Sequence, residues 1–267
     1  MIRQWSNCTT KEIAAIDKER SLVIVPIGAT EQHGAHLPVG TDSIILGSLL
    51  GELEQRVTFP SHEVLLTPLI PVGKSNEHLD FPGTLTFSTT TMYNMVDDLC
   101  GSIRAHGFGK VLLMNSHGGN TDLLNVLSRD LRIKHDMEVY VFDWWFTSFW
   151  SDILAKVQQS GEYGVFHACE LETSLMLVFR PDLVDMAKAA DEFPSPQLTD
   201  NRHVSIKGPI VPGWKTQDVS KHGVIGAPTL ASAAKGREFI DYAVVKLHEM
   251  ITEVIGTNYK ASLSDEA

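Results

Sequence analysis

An α/β fold, with a largely parallel sheet covered by helices on both faces, follows from two features of the sequence. Short apolar runs rich in β-branched residues alternate with longer segments whose apolar residues recur at helical spacing. Such an alternation implies right-handed crossovers between parallel strands. No Ser/Gly-rich or Pro-rich linker interrupts the 267 residues, so a single domain over 1–267 is expected.

In chain order, a short amphipathic helix is expected from about Thr10 to Arg20, with threonine as its N-cap, followed by a buried strand from Leu22 to Ile27. The loop "GATEQHGAHLPVGTD" leads into the helical segment "DSIILGSLLGELEQRV". "EVLLTPLI" reads as a second strand, and a long loop then reaches a helix from about Thr89 to His106. "KVLLMNSHGGN" is a third strand that breaks into glycines, "NTDLLNVLSRDLRIKHD" a helix, and "EVYVFDWW" a fourth strand. "ELETSLMLVF" reads either way, with a helix packed on the sheet preferred. The stretch from Pro181 to Pro228 is rich in Pro, Gly and Asp and reads as irregular, before the closing helix "TLASAAKGREFIDYAVVKLHEMITEVI".

Composition removes several classes of function. A formal net charge of −11 argues against a sequence-independent nucleic-acid binder, which needs a basic stripe to displace counterions from phosphates. Apolar stretches are of strand length, short of a membrane span, and the first twenty residues carry no apolar signal core, so a cytoplasmic protein with no membrane partner is expected. The cysteines Cys8, Cys100 and Cys169 are odd in number and widely spaced, with no CxxC pair. Any metal must be held by nitrogen and oxygen.

In sheets of this kind, sites form at the carboxyl ends of the strands. Glu31 and His33 lie two apart in the loop after the first predicted strand, Asp42 opens the next helix, and His117 follows another strand. Imidazole and carboxylate donors suit zinc, manganese or ferrous iron, and a bridging carboxylate is the usual device of a two-metal hydrolytic centre. The competing account makes the carboxylates solvated loop and capping residues and the histidines surface polarity; an ExH pair alone lacks the specificity of HExxH. Gly118 and Gly119 could bring backbone N–H groups to an oxyanion, or could merely make a tight turn with Asn120 as N-cap. His167, Glu170 and Glu172 surround the start of an apolar segment; Glu172 is costly to bury there unless a cation meets it, whereas Glu170 has a plain role at a helix N-terminus. Glu77 with His78, and Trp144 with Trp145, could line a pocket, or could be loop polarity and core.

Four collinear stretches, "PIGATEQHGAHLPVGTD", "EHLDFPGTLTFS", "LLMNSHGGN" and "HACELETSLML", resemble the creatininase (creatinine amidohydrolase) family over nearly the whole chain. The resemblance implies a three-layer α/β/α sandwich with a mostly parallel sheet, a homohexamer, and two divalent metal ions (Zn, Mn or Fe(II)). By motif it makes Glu31 and His33 terminal ligands of different ions, Asp42 the bridge, His117 a further ligand, and Glu172 the last. Strict creatininases carry Tyr and a ligating Glu where this chain has Gly118 and Gly119, and their "HAG" stands here as "HAC" with Cys169. The chain therefore resembles the wider family rather than a creatininase in the narrow sense.

The expected activity is metal-dependent hydrolysis of a small polar, cyclic molecule, at an amide or lactam C–N bond. Paired ions would lower the pKa of a water between them to about 7. His167 is the expected proton donor to the leaving nitrogen, with Glu170 as a second acid or base, and Gly118, Gly119, His78 and Trp145 are the candidate substrate contacts. C–C hydrolysis of a cyclic keto-polyol, or a deformylase or peptidase reaction, are the alternatives, and a noncatalytic binding module would have no need of the ligand set.

Overall fold

The computed structural model describes residues 2–144 and 147–259, so Trp145, an expected substrate contact, lies outside the described residues. Five strands form the central sheet: β1 (Ile2–Gln4), β2 (Ser21–Ile27), β3 (Glu63–Leu66), β4 (Lys110–Asn115) and β5 (Glu138–Asp143). Their order is β1-β3-β2-β4-β5 and every pairing is parallel. The central strand β2 is buried along its whole length, which is why it reads as a continuous apolar run instead of an alternating one.

Period-two geometry sends neighbouring β2 side chains to opposite cores. Leu22 and Ile24 join Leu112 and Met114 in a core closed by helices α2 (Thr41–Arg56), α6 (Glu170–Phe179) and α9 (Ala233–Gly256). Val23, Val25 and Ile27 join Val111 and Leu113 in a second core, closed by α3 (Thr89–Ala105) and α4 (Thr121–His135). The expected layers, helix over sheet over helix, are thus present. No helix among the described residues is long and apolar enough to cross a membrane.

Several elements depart from the sequence-based expectation for identifiable reasons. Helix α1 (Thr10–Ala15) starts with a capping box between Thr9 and Glu12 but stops well before Arg20, where Ile16 turns extended and the Lys18 ammonium folds back to donate to the Ile16 carbonyl at 2.7 Å. Strand β3 ends before Pro68, which has no N–H for the ladder; Ile70 makes only an isolated bridge to Ile27. Helix α5 (Thr147–Val157) and the edge strand β1 are additions to the expected set. So is a small antiparallel pair, β6 (Val165–His167) with β7 (Ile225–Gly226). The Pro181 to Pro228 stretch is largely irregular, as expected, with the short helices α7 (Pro196–Thr199) and α8 (Thr216–Val219) within it.

Helix α6 is fixed against α9 at its first turns. Glu170, fully buried, accepts hydrogen bonds from the backbone N–H groups of Gln159 and Ser160 and pairs with the Lys235 ammonium. The carboxylate of Glu170, the expected second acid or base, is thus engaged in pinning α6 to α9. Beside Lys235, a Cβ on Gly236 would fall 2.0 Å from the Ser174 carbonyl oxygen, so the helices touch backbone to backbone. Gly236→Ala should destabilise the protein by about 1–3 kcal/mol through overpacking. A urea midpoint that falls with unchanged slope is the expected reading, and an unchanged midpoint would contradict the close contact.

Candidate metal centre

The centre is assembled from the ends of elements. Glu31 and His33 lie in the loop leaving β2, Asp42 is the second residue of α2, His117 stands two residues beyond β4, and Glu172 sits in the first turn of α6. All five are buried, with between 0% and 4% of each exposed to solvent. Two groups of three converge closely enough to hold an ion: Glu31, Asp42 and His117; and His33, Asp42 and Glu172. Asp42 belongs to both. A third possible grouping, Glu31, His33 and His167, overlaps them.

The two histidines of these triads share one design. His33 Nδ1 donates to the Glu31 carbonyl at 3.0 Å, which turns Nε2 inward, 3.2 Å from Glu172 Oε1 and 3.5 Å from Asp42 Oδ1. His117 is anchored from the other end: Nε2 donates to the Lys74 carbonyl at 3.0 Å, and Nδ1 faces Glu31 Oε2 at 3.1 Å and Asp42 Oδ2 at 3.7 Å. A tetrahedral ion with bonds of about 2.1 Å separates its donor atoms by about 3.4 Å, within the range these atoms span. Glu31 Oε2 and Asp42 Oδ2 are buried with no hydrogen-bond partner, as oxygens reserved for a cation would be. The donor set therefore fits a divalent metal.

Electrostatics agree with the geometry. Burial and the Glu31 charge push the Asp42 pKa up to about 7. Burial also works to raise Glu31, but His117 and His78 outweigh it and hold that carboxyl well below its usual range. Burial opposes charge on His33 and His117, yet the facing carboxylates win and raise both well above an ordinary imidazole. The polypeptide can hold these groups together only by retaining protons or by sharing cations.

A wall of histidines flanks the ligands. His167 stacks between His33 and His78, at ring separations of 4.4 and 4.5 Å. Its Nε2 lies 2.8 Å from the Gln32 carbonyl and 3.0 Å from the Gln32 side-chain nitrogen; with the hydrogen on Nε2 given to the nearer carbonyl, Nδ1 is left to face Glu31 Oε1 at 3.7 Å. Burial, then the neighbouring imidazoles, hold its pKa well below the usual value, and the ring is neutral. His78 also carries its hydrogen on Nε2, but turns that nitrogen toward the centre. The Gly34 N–H donates to Gln32 Oε1 at 3.0 Å, fixing the amide so that its NH₂ meets His78 Nδ1 at 2.9 Å. His78 Nδ1 must accept, and Nε2 carries its hydrogen toward Glu31 Oε1 at 3.5 Å.

The remaining expected residues divide. Gly118 is exposed with open space beside its Cα, while Gly119 is hemmed in by Glu77, His117 and Lys74. Asn120 stands at the N-terminus of α4, but its side chain makes no cap; it ties the loops at Gly28, Lys74 and Asn115 together. Trp144 is core, packed on Trp150 and donating to the Ser116 carbonyl. Gln32, Ser75 and Thr216 were not anticipated. Gln32 had one signal, its place between two ligands; Thr216, whose hydroxyl meets His78 Nδ1 at 3.0 Å, lies in a stretch without periodicity.

The creatinine amidohydrolase family model matches residues 6–251. A mycofactocin precursor peptide peptidase of Mycolicibacterium smegmatis is 29% identical over 218 residues, covering 80% of this chain and 78% of the relative. A 3-dehydro-scyllo-inosose hydrolase of Thermotoga maritima is 25% identical over 264 residues, covering 94% and 83%. A solved structure described as a putative creatinine amidohydrolase from Bacteroides fragilis matches with a TM-score of 0.79 at 25% identity, covering 96% of this chain and 97% of that one. With its parallel sheet and buried carboxylate and imidazole groups, the chain belongs to the creatininase family and is an enzyme of that hydrolase family.

Proposed function

We propose that the protein holds two divalent cations, one among Glu31, Asp42 and His117 and one among His33, Asp42 and Glu172, and hydrolyses the amide or lactam C–N bond of a small polar, cyclic molecule. The observation that carries this reading is the place of Asp42 in both triads. Three carboxylates and two imidazoles suit Zn, Mn or Fe(II). Cations bound there would act as Lewis acids, lowering the pKa of water and polarising a substrate oxygen.

The residues around them divide the rest of the work. Neutral His167, its Nε2–H held by the Gln32 carbonyl, presents Nδ1 as the atom that takes a proton from water and returns it to the leaving nitrogen. His78 offers an Nε2–H to a substrate oxygen, and the exposed backbone at Gly118 can offer another donor. The peptidase name borne by one relative favours C–N cleavage, while the inosose hydrolase of Thermotoga maritima keeps C–C hydrolysis of a cyclic keto-polyol as the second reading. In both, the family resemblance extends the picture to a homohexamer.

Product analysis over a panel of lactams, formamides and keto-inositols, with Zn, Mn or Fe(II) added, separates the two: released amine or formate supports C–N hydrolysis, and a ring-opened acid without nitrogen supports the other. Protein purified without chelator should carry two equivalents of metal per chain by elemental analysis. Asp42→Asn should lose both; full occupancy in that variant would refute the bridging role. Affinity should also depend on pH in a defined sense. Because the pKa of Asp42 is raised to about 7, the metal-free protein holds a proton below that pH which a cation must displace. His33 and His117, also raised, add in the same direction. Affinity should therefore fall as pH drops through 7, by up to about tenfold per pH unit for each proton displaced, as read by titration against a competing chelator. His167→Ala should lower kcat by about 10²- to 10⁴-fold with both ions retained. Unchanged turnover would exclude it as the proton carrier.

A further inference from the structure

His117 is held at its outer nitrogen by a single loop. Around Nε2 stand the Lys74 carbonyl at 3.0 Å, the Ser75 hydroxyl at 3.2 Å and Glu77 Oε1 at 3.5 Å. The Glu77 side chain keeps 17% exposure, far less than an ordinary loop glutamate. On the facing segment, a Cβ at Gly119 would lie 2.3 Å from Glu77 Oε1, 2.4 Å from His117 Nε2 and 2.5 Å from the Lys74 oxygen. Two of those neighbours are a packed ring and a backbone atom, which cannot swing aside. The bare Cα of Gly119 is what admits all three oxygens to one nitrogen.

We propose that Glu77 is a positioning residue for His117. Its carboxylate, with the Lys74 carbonyl and the Ser75 hydroxyl, forms an oxygen cradle that fixes the ring's tautomer and strengthens Nδ1 as a metal donor, and Gly119 is the space this cradle requires. A negative charge beside the outer N–H shifts electron density toward the inner nitrogen and steadies the positive charge the ring shares with a cation. The inference rests on the two-cation reading above and deepens it by making the two positions unequal. The Glu31, Asp42 and His117 position depends on Glu77; that of His33, Asp42 and Glu172 does not.

The test is Glu77→Gln, which keeps the shape and removes the charge, titrated with Zn²⁺ against a competing chelator beside the wild-type protein. The expected result is one equivalent bound about 10- to 100-fold more weakly and the other retained, with thermal unfolding of the metal-free protein unchanged. Gly119→Ala, which crowds the cradle without touching Glu77, should weaken the same equivalent. Wild-type protein that takes up no cation removes the metal reading and this inference with it. Uptake of two by wild type, with identical affinities in Glu77→Gln, overturns the inference alone.

Discussion

Two carboxylates that cannot both stay charged without help, Glu31 and Asp42, set the terms for the whole centre. Both are buried, and each has an oxygen without a hydrogen-bond partner. Their donor atoms lie within 4.8 Å of each other, which at an effective dielectric of about 20 amounts to a repulsion of about 3 kcal/mol. Asp42 gains from standing in the first turn of α2, but a helix terminus supplies roughly 0.3–1 kcal/mol in ordinary settings and about 2 at best. The shortfall falls to the histidines and to whatever cation they share. Placing the carboxylates at the ends of a parallel sheet makes the arrangement sustainable, since a sheet buried on both faces holds β2 and β4 too rigidly for the loops to relax apart.

The histidines are kept distinct mainly by backbone groups. His33, His117 and His167 each give their outer N–H to a main-chain carbonyl, of Glu31, Lys74 and Gln32 respectively. His78 has no such carbonyl; the Gln32 amide meets its Nδ1 and leaves the hydrogen on Nε2, facing Glu31. Four imidazoles in one small volume thus each turn one ring nitrogen toward the buried carboxylates. A carbonyl contact does not titrate, so these roles persist through a proton transfer that would scramble a network of carboxylates. Gln32 serves both sides, its main chain holding His167 and its side chain His78.

Much of this was legible in the sequence, for physical reasons that also mark where reading stopped. The buried run of β2 and the helical spacing of α2, α3, α4 and α9 come straight from side-chain periodicity. The donor types in the loops narrowed the chemistry to nitrogen and oxygen ligands. Glu170 and Glu172 show the limit. Two residues apart on a helix are turned about 200° from one another, so one faces His33 while the other faces Lys235. Which does which depends on a lysine 65 positions downstream. Strand β1 is too short to show a period. In α5, Phe149, Trp150, Ile153 and Val157 do recur at helical spacing, yet the aromatic cluster beside them suggests a pocket wall; Trp144 and Trp150 are core.

Sheet and loops also divide chemistry from recognition. Glu31, Asp42 and His117 stand just beyond or at the ends of elements of the main sheet layers, whereas the rim comes from long connections. Lys215 reaches Asp80 at 2.9 Å, Thr216 meets His78, and Glu192 gathers the Ser220 hydroxyl and the backbone N–H groups of Lys221 and His222. The segment that reads as irregular is therefore clasped onto the loop bearing Glu77 and His78, beside the ligands but outside the sheet. Loops can change length and side chains without disturbing the strand ends they cover. One ligand set can then stay in place while the rim changes the molecule admitted, an arrangement in which a peptide-cleaving relative and a sugar-like-ring hydrolase could share one architecture. His78 is where the two parts meet, since one ring nitrogen answers to Thr216 of the rim and the other to Glu31 of the centre.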